Sequence, residues 1–94
     1  MKLSIFYRQN TEQERPVIEF KEMMRRRHPS VEVHDVDLDS REGVSVASLY
    51  GITRYPAILV TAIDGSMQGL WEGIPLPLID EVFGSMLEQQ GSSV

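Results

Sequence analysis

Asp35, Asp37 and Asp39 alternate along the chain, and alternating carboxylates are what a calcium-binding loop supplies. The EF-hand pattern then requires glycine at its sixth position and glutamate at its twelfth, where this chain has Ser40 and Val46. The three aspartates therefore read as an acid-rich strand end. His28 and His34 are the only histidines; they fall on a predicted helix end and a predicted strand, and no metal-ligand spacing links them. Serine, histidine and aspartate are all present, but no G-x-S-x-G context arranges them for nucleophilic catalysis. There is no glycine-rich phosphate loop. The run Arg25-Arg26-Arg27-His28 has the chemistry to meet phosphates, yet its place at a helix end, where cations match the dipole, gives it a structural reason. The hydroxyls of Tyr7 and Thr11 are the remaining candidates for polar chemistry.

The missing residue type excludes more than the present ones supply. The chain has no cysteine, which rules out a disulfide framework, a thiolate metal site and thiol catalysis. Neither a metal nor a cofactor is expected. Its 94 residues make one domain, and a hydrophobic fraction of 41% suits a globular core. A net charge of −5 argues against nucleic acid as a partner. The charge is uneven: all nine Lys and Arg lie in residues 1–54 with nine of the acids, while residues 55–94 carry five acids and no base. The start of the chain lacks the apolar core of a signal peptide, and no apolar run approaches the ~20 residues of a membrane span. A cytoplasmic protein without membrane association is the expectation.

The elements that position these residues follow from periodicity and punctuation. Leu3 to Tyr7 is short, apolar and β-prone, a buried strand. Thr11 followed by Glu14 is a capping-box pattern, opening a helix to about Arg27 with Val17, Phe20, Met23 and Met24 on one face. Pro16 must mark a later start or bend the first turn, and Pro29 stops the helix. Val31 to Leu38 is a second strand whose apolar residues switch parity, as a strand covered on both faces or a bulge would explain. Ser40 to Gly43 is expected as a turn, and Val46, Leu49 and Tyr50 fit a short helix ended by Gly51. Ala57 to Ile63 is a third strand, Asp64-Gly65 a hairpin turn, and Met67 to Glu72 the returning strand. After Gly73 to Pro77, a last helix carries the stripe Ile79, Val82, Phe83, Met86 and Leu87. Residues 1–90 are assigned to the domain and 91–94 to a polar tail.

The order is β-α-β-α-β-β-α, an α/β class with a four-stranded mixed sheet and helices on both faces. Within it stands Tyr50-Gly51-Ile52-Thr53-Arg54-Tyr55-Pro56-Ala57-Ile58-Leu59-Val60, a helix end leading through a polar turn into a strand that opens with proline. Asp64-Gly65 and Gly73 follow at fixed spacing. In this order and spacing the chain resembles the thioredoxin superfamily in its compact, glutaredoxin-like form. The resemblance implies strand order 2-1-3-4 and a cis peptide before Pro56. It also implies that the backbone of Tyr55 is turned outward to pair with an extended peptide or glutathione. The C-x-x-C motif would fall near Thr11-Glu12-Gln13-Glu14, a capped and acidic helix start without a thiol.

Three functions are compatible with this. The first is a redox-inactive, non-enzymatic module that binds a protein or peptide partner, an assembly adaptor for instance. Its site would be Thr11, Arg54, an outward-facing Tyr55, and Pro56. The second is a small-molecule binder or hydroxyl-based glutathione enzyme using Tyr7 or Thr11. The third is a structural subunit that self-associates through an edge strand carrying Trp71; a monomer or a weak homodimer is expected.

Overall fold

The computed structural model of the chain describes residues 2–91. Four strands form one sheet in the order β2-β1-β3-β4, with β1 at Lys2–Tyr7, β2 at Glu32–Asp37, β3 at Ala57–Thr61 and β4 at Met67–Glu72. β1 runs parallel to β2 and antiparallel to β3, and β4 is antiparallel to β3. β1 and β3 are the central strands, which is why their sequences are near-continuous apolar runs instead of alternating ones.

Helices α1 (Glu14–Arg27) and α3 (Ile79–Gly91) cover one face of the sheet. There Val17, Phe20 and Met24 meet Ile79, Val82 and Met86 over Leu3, Ile5, Ile58 and Val60. The other face carries a smaller cluster of Phe6, Leu38, Ala47, Ile52, Ala57 and Leu59 under α2 (Arg41–Leu49). β2 pairs with β1 in an unbroken register from Lys2↔Glu32 to Tyr7↔Asp37, so the parity switch is not a bulge. Val31 and Val33 pack on the first cluster and Val36 on the second, which is a strand covered on both faces.

Several local expectations are corrected. Helix α1 starts at Glu14, not at a capping box on Thr11, and Pro16 lies in its first turn, where its missing N–H costs nothing. The Glu14 carboxylate does reach back, but to the Asn10 N–H at 3.0 Å. Ser40 to Gly43 is not a free turn. Ser40 is the N-cap of α2, its Oγ accepting the Gly43 N–H at 2.9 Å. The buried face of α2 is Gly43 and Ala47, whereas Leu49 is 77% exposed. Residue 43 must be small because a Cβ there would lie 2.0 Å from the Asp37 carbonyl oxygen. β3 ends at Thr61, and Ile63 projects fully into solvent at the hairpin. The side chain of Leu87 and residues 92–94 of the expected tail lie outside the described residues, and Gly91 belongs to α3. Among the described residues, no helix is long and apolar enough to cross a membrane.

Candidate functional site

Strand direction decides which loops meet. β1 and β2 are parallel, Phe6 of β1 faces Ala57 of β3, and Ala57 also faces Glu72 of β4. The ends of β1, β2 and β4 and the start of β3 therefore share one end of the sheet. The segments that converge there hold Arg8 to Gln13, Asp37 to Ser40, Thr53 to Pro56, and Gly73 onward.

Thr11 sits exposed in the loop before α1. Its Oγ1 donates to the Arg8 carbonyl at 2.6 Å and accepts the Gln13 N–H at 3.3 Å. Gln13 Oε1 in turn accepts the Arg8 N–H at 2.9 Å, so this loop is closed on itself. Among the described residues no hydrogen bond joins Thr11 to Arg54 or Tyr55.

The second loop is organised from β4. Glu72 Oε1 accepts the N–H groups of Thr53 at 2.9 Å and Arg54 at 3.2 Å. The Arg54 guanidinium donates to the Glu72 carbonyl at 3.3 Å, and the Gly73 N–H donates to the Pro56 carbonyl at 2.9 Å. Those two backbone donors, with the Arg54 charge behind them, hold the Glu72 carboxyl below its ordinary range. Gly73 has φ +79°, which favours glycine, and a Cβ there would stand 3.1 Å from the Arg54 guanidinium. The Tyr55–Pro56 and Ile74–Pro75 peptide bonds are both cis.

Between these fastened neighbours, Tyr55 is the exception. Among the described residues neither its N–H nor its C=O has a hydrogen-bond partner. Its side chain does not face outward as expected from the sequence. The ring is half-buried against the Phe6 and Ala57 cluster, and its hydroxyl donates to the Ile52 carbonyl at 2.9 Å. Pro56 is fully buried. Of the four residues expected to form the site, Thr11 and Arg54 are exposed, while Tyr55 offers its backbone and Pro56 its geometry only.

The three aspartates point to separate tasks. Asp35 pairs with Lys21 at 2.6 Å, Asp37 Oδ1 accepts the Asp39 N–H at 2.9 Å, and Asp39 lies 3.9 Å from Arg8. Tyr7 is core, packed with α1 and α3. Burial pushes its phenol up, and the nearby Asp35 charge adds to that. A phenol ring buried in the core is withheld from an incoming ligand, which does not suit the hydroxyl-based thiolate chemistry considered above.

Solved structures carry the same architecture across almost the whole chain. Thioredoxin O2 from Arabidopsis thaliana, in its oxidized state, superposes with a TM-score of 0.68 at 13% identity, over 93% of this chain and 72% of that one. The fold is thioredoxin-like. A designed protein matches with a TM-score of 0.70 at 18% identity, covering 95% and 75% of the two chains. A malarial protein matches with 0.64 at 14% identity, covering 92% of each. At such identities the likeness concerns the fold. No family model and no curated protein matches the sequence.

Within the thioredoxin-like fold, this chain has no cysteine anywhere, so thiol–disulfide exchange is closed to it. The residue that organises the loop, Glu72, was not among those picked from the sequence. Its partners stand 19 and 18 positions away, and only the pairing of β3 with β4 brings them together.

Proposed function

We propose that this chain is a redox-inactive thioredoxin-like module that binds an extended protein or peptide segment at the Tyr55–Pro56 loop. The observation that carries the reading is the unpartnered N–H and C=O of Tyr55 between neighbours held by Glu72 and Gly73. One donor and one acceptor from a single residue, on a rigid loop beside a sheet, pair naturally with one residue of an extended strand. Pre-ordering matters because the loop gives up little further freedom on binding. Arg54 adds a cation beside the backbone pair, and the exposed Ile74 adds an apolar contact from the next loop.

The reading is tested by selecting ligands from an immobilised peptide library and titrating them into ¹⁵N-labelled protein. The Tyr55 amide should be among the largest shifts and should become protected from exchange. Selected peptides that leave the Tyr55 amide unmoved would refute the assignment. Insulin reduction by the protein should equal the blank, and measurable turnover would refute redox inactivity.

A further inference from the structure

Asp64 is the only aspartate or asparagine in the chain that glycine follows. Such a pair carries a reaction of its own. With no Cβ beside it, a glycine amide nitrogen is open to attack the side-chain carboxyl of the residue before it. A C–N bond forms at Cγ, the amide proton and the carboxyl OH leave as water, and a five-membered succinimide results. Water then reopens the ring at either carbonyl. Opening at the side-chain carbonyl restores aspartate. Opening at the backbone carbonyl leaves isoaspartate, whose main chain runs through Cβ and Cγ. The composition is unchanged, and water is the sole co-reactant.

Asp64, Gly65 and Ser66 are all exposed, so burial does not keep water from this pair. The hairpin opposes the reaction at two other points. The first is the nucleophile. The Gly65 N–H donates to the Ala62 carbonyl at 2.9 Å, and the Ala62 N–H donates to the Ser66 carbonyl at 3.0 Å, which fixes the nitrogen within the turn. The second is the carboxyl, which must be neutral for its oxygen to leave as water. Asp64 Oδ1 accepts the Ser66 N–H at 3.0 Å and the Ser66 hydroxyl at 2.7 Å. Both bonds favour the ionised form and hold the carboxyl below its ordinary range. They also fasten it to Ser66, one residue beyond the nitrogen that would attack it. Gln68 Nε2 donates to the Ser66 Oγ at 3.0 Å, which leaves the hydroxyl proton directed at Asp64.

We propose that Asp64-Gly65 is a latent site of spontaneous isoaspartate formation, which Ser66 guards in the folded hairpin. Its effect reaches beyond the turn. The Gly65 carbonyl accepts the Tyr50 hydroxyl at 2.6 Å, and Tyr50 packs on the cluster under α2. A longer main chain at residue 64 moves that carbonyl and releases the end of α2 from the hairpin. The proposal is independent of the Tyr55–Pro56 loop and stands without it.

The test ages the protein at physiological temperature and mildly acidic pH. Isoaspartate in the peptide spanning residue 64 is then counted by enzymatic methyl transfer and by fragmentation mass spectrometry. Wild type held unfolded in urea sets the unguarded rate, and folded wild type should fall below it by about tenfold or more. Ser66→Ala, which removes the hydroxyl bond and keeps the N–H, should accumulate isoaspartate about fivefold faster than folded wild type. Ser66→Thr keeps both donors and should match wild type. Absence of isoaspartate from the unfolded chain would overturn the site. Equal rates in folded and unfolded wild type would overturn the guarding, and so would equal rates in Ser66→Ala and wild type. In the isomerised fraction the Tyr50 and Ala62 amides should exchange faster, and unchanged exchange would overturn the reach to α2.

Discussion

Glu72 holds Thr53 in place: its carboxylate accepts the Thr53 N–H at 2.9 Å across 19 positions of sequence. The same oxygen takes the Arg54 N–H, so one side chain at the end of β4 sets the path of the loop that enters β3. The candidate binding backbone at Tyr55 depends on a residue that never touches it through a side-chain hydrogen bond.

Glu72→Gln keeps the shape and removes the charge. Amide exchange at Thr53 and Arg54 should accelerate by roughly tenfold, the scale of weakening a charge-assisted hydrogen bond to a neutral one. Amides in the centre of β1 and β3 should be unaffected. Unchanged exchange at Thr53 would show that the carboxylate does not hold the loop.

Acid should loosen the same loop. The Glu72 carboxyl is held low by the Thr53 and Arg54 donors, and the Asp64 carboxyl by the Ser66 hydroxyl and N–H. A depressed pKa contributes stability that is fully present above the unfolded-state value and is lost as pH falls through the folded-state value. The urea midpoint should thus drop as pH falls from the ordinary carboxylate range of about 4 through the lower folded-state values. The double variant Glu72→Gln with Asp64→Asn should show a shallower fall. Parallel curves for the two proteins would contradict the assignment.

Tyr7 predicts the alkaline side. Burial raises its pKa, so its contribution is present below the unfolded-state value of ~10 and is lost as pH rises through the folded-state value. Absorbance at alkaline pH should show an ionisation step above that range, absent from Tyr7→Phe. A titration in Tyr7→Phe that keeps the late step would assign it elsewhere.

Gly43→Ala should destabilise the protein by about 1–3 kcal/mol or more, as overpacking does, because the new methyl would meet the backbone oxygen of Asp37. Leu49→Ala, on the same helix but 77% exposed, should stay within about 0.5 kcal/mol of wild type. Ile58→Ala, in the fully buried centre of β3, should cost about 2–5 kcal/mol. Chemical denaturation of the three variants gives the order directly, and a larger loss for Leu49→Ala than for Gly43→Ala would reverse the reading of α2.

α2 shows where sequence patterning misleads. Val46, Leu49 and Tyr50 have helical spacing and the right polarity for a buried stripe. Of these only Tyr50, just past the helix, packs on the cluster beneath; the helix itself turns Gly43 and Ala47 to the sheet, because β2 ends so close that only a hydrogen fits at residue 43. Packing distance between two elements is not written in either element. α3 is the converse case: its stripe of Ile79, Val82 and Met86 is buried as its spacing requires, since a long amphipathic helix has one way to cover a sheet.

By itself the sequence determined the element order, the two central apolar strands, the punctuation at Pro29, Asp64-Gly65 and Gly73, and the absence of any thiol. These are local or compositional, carried by side-chain periodicity and backbone preference within a few residues. The tertiary structure alone decided which loops share an end of the sheet and that Tyr55 turns its ring inward while its backbone stays unpaired. It alone paired Glu72 with the loop ahead of β3. Those relationships arise from strand pairing, which joins residues far apart in the chain through backbone hydrogen bonds that every residue type can make.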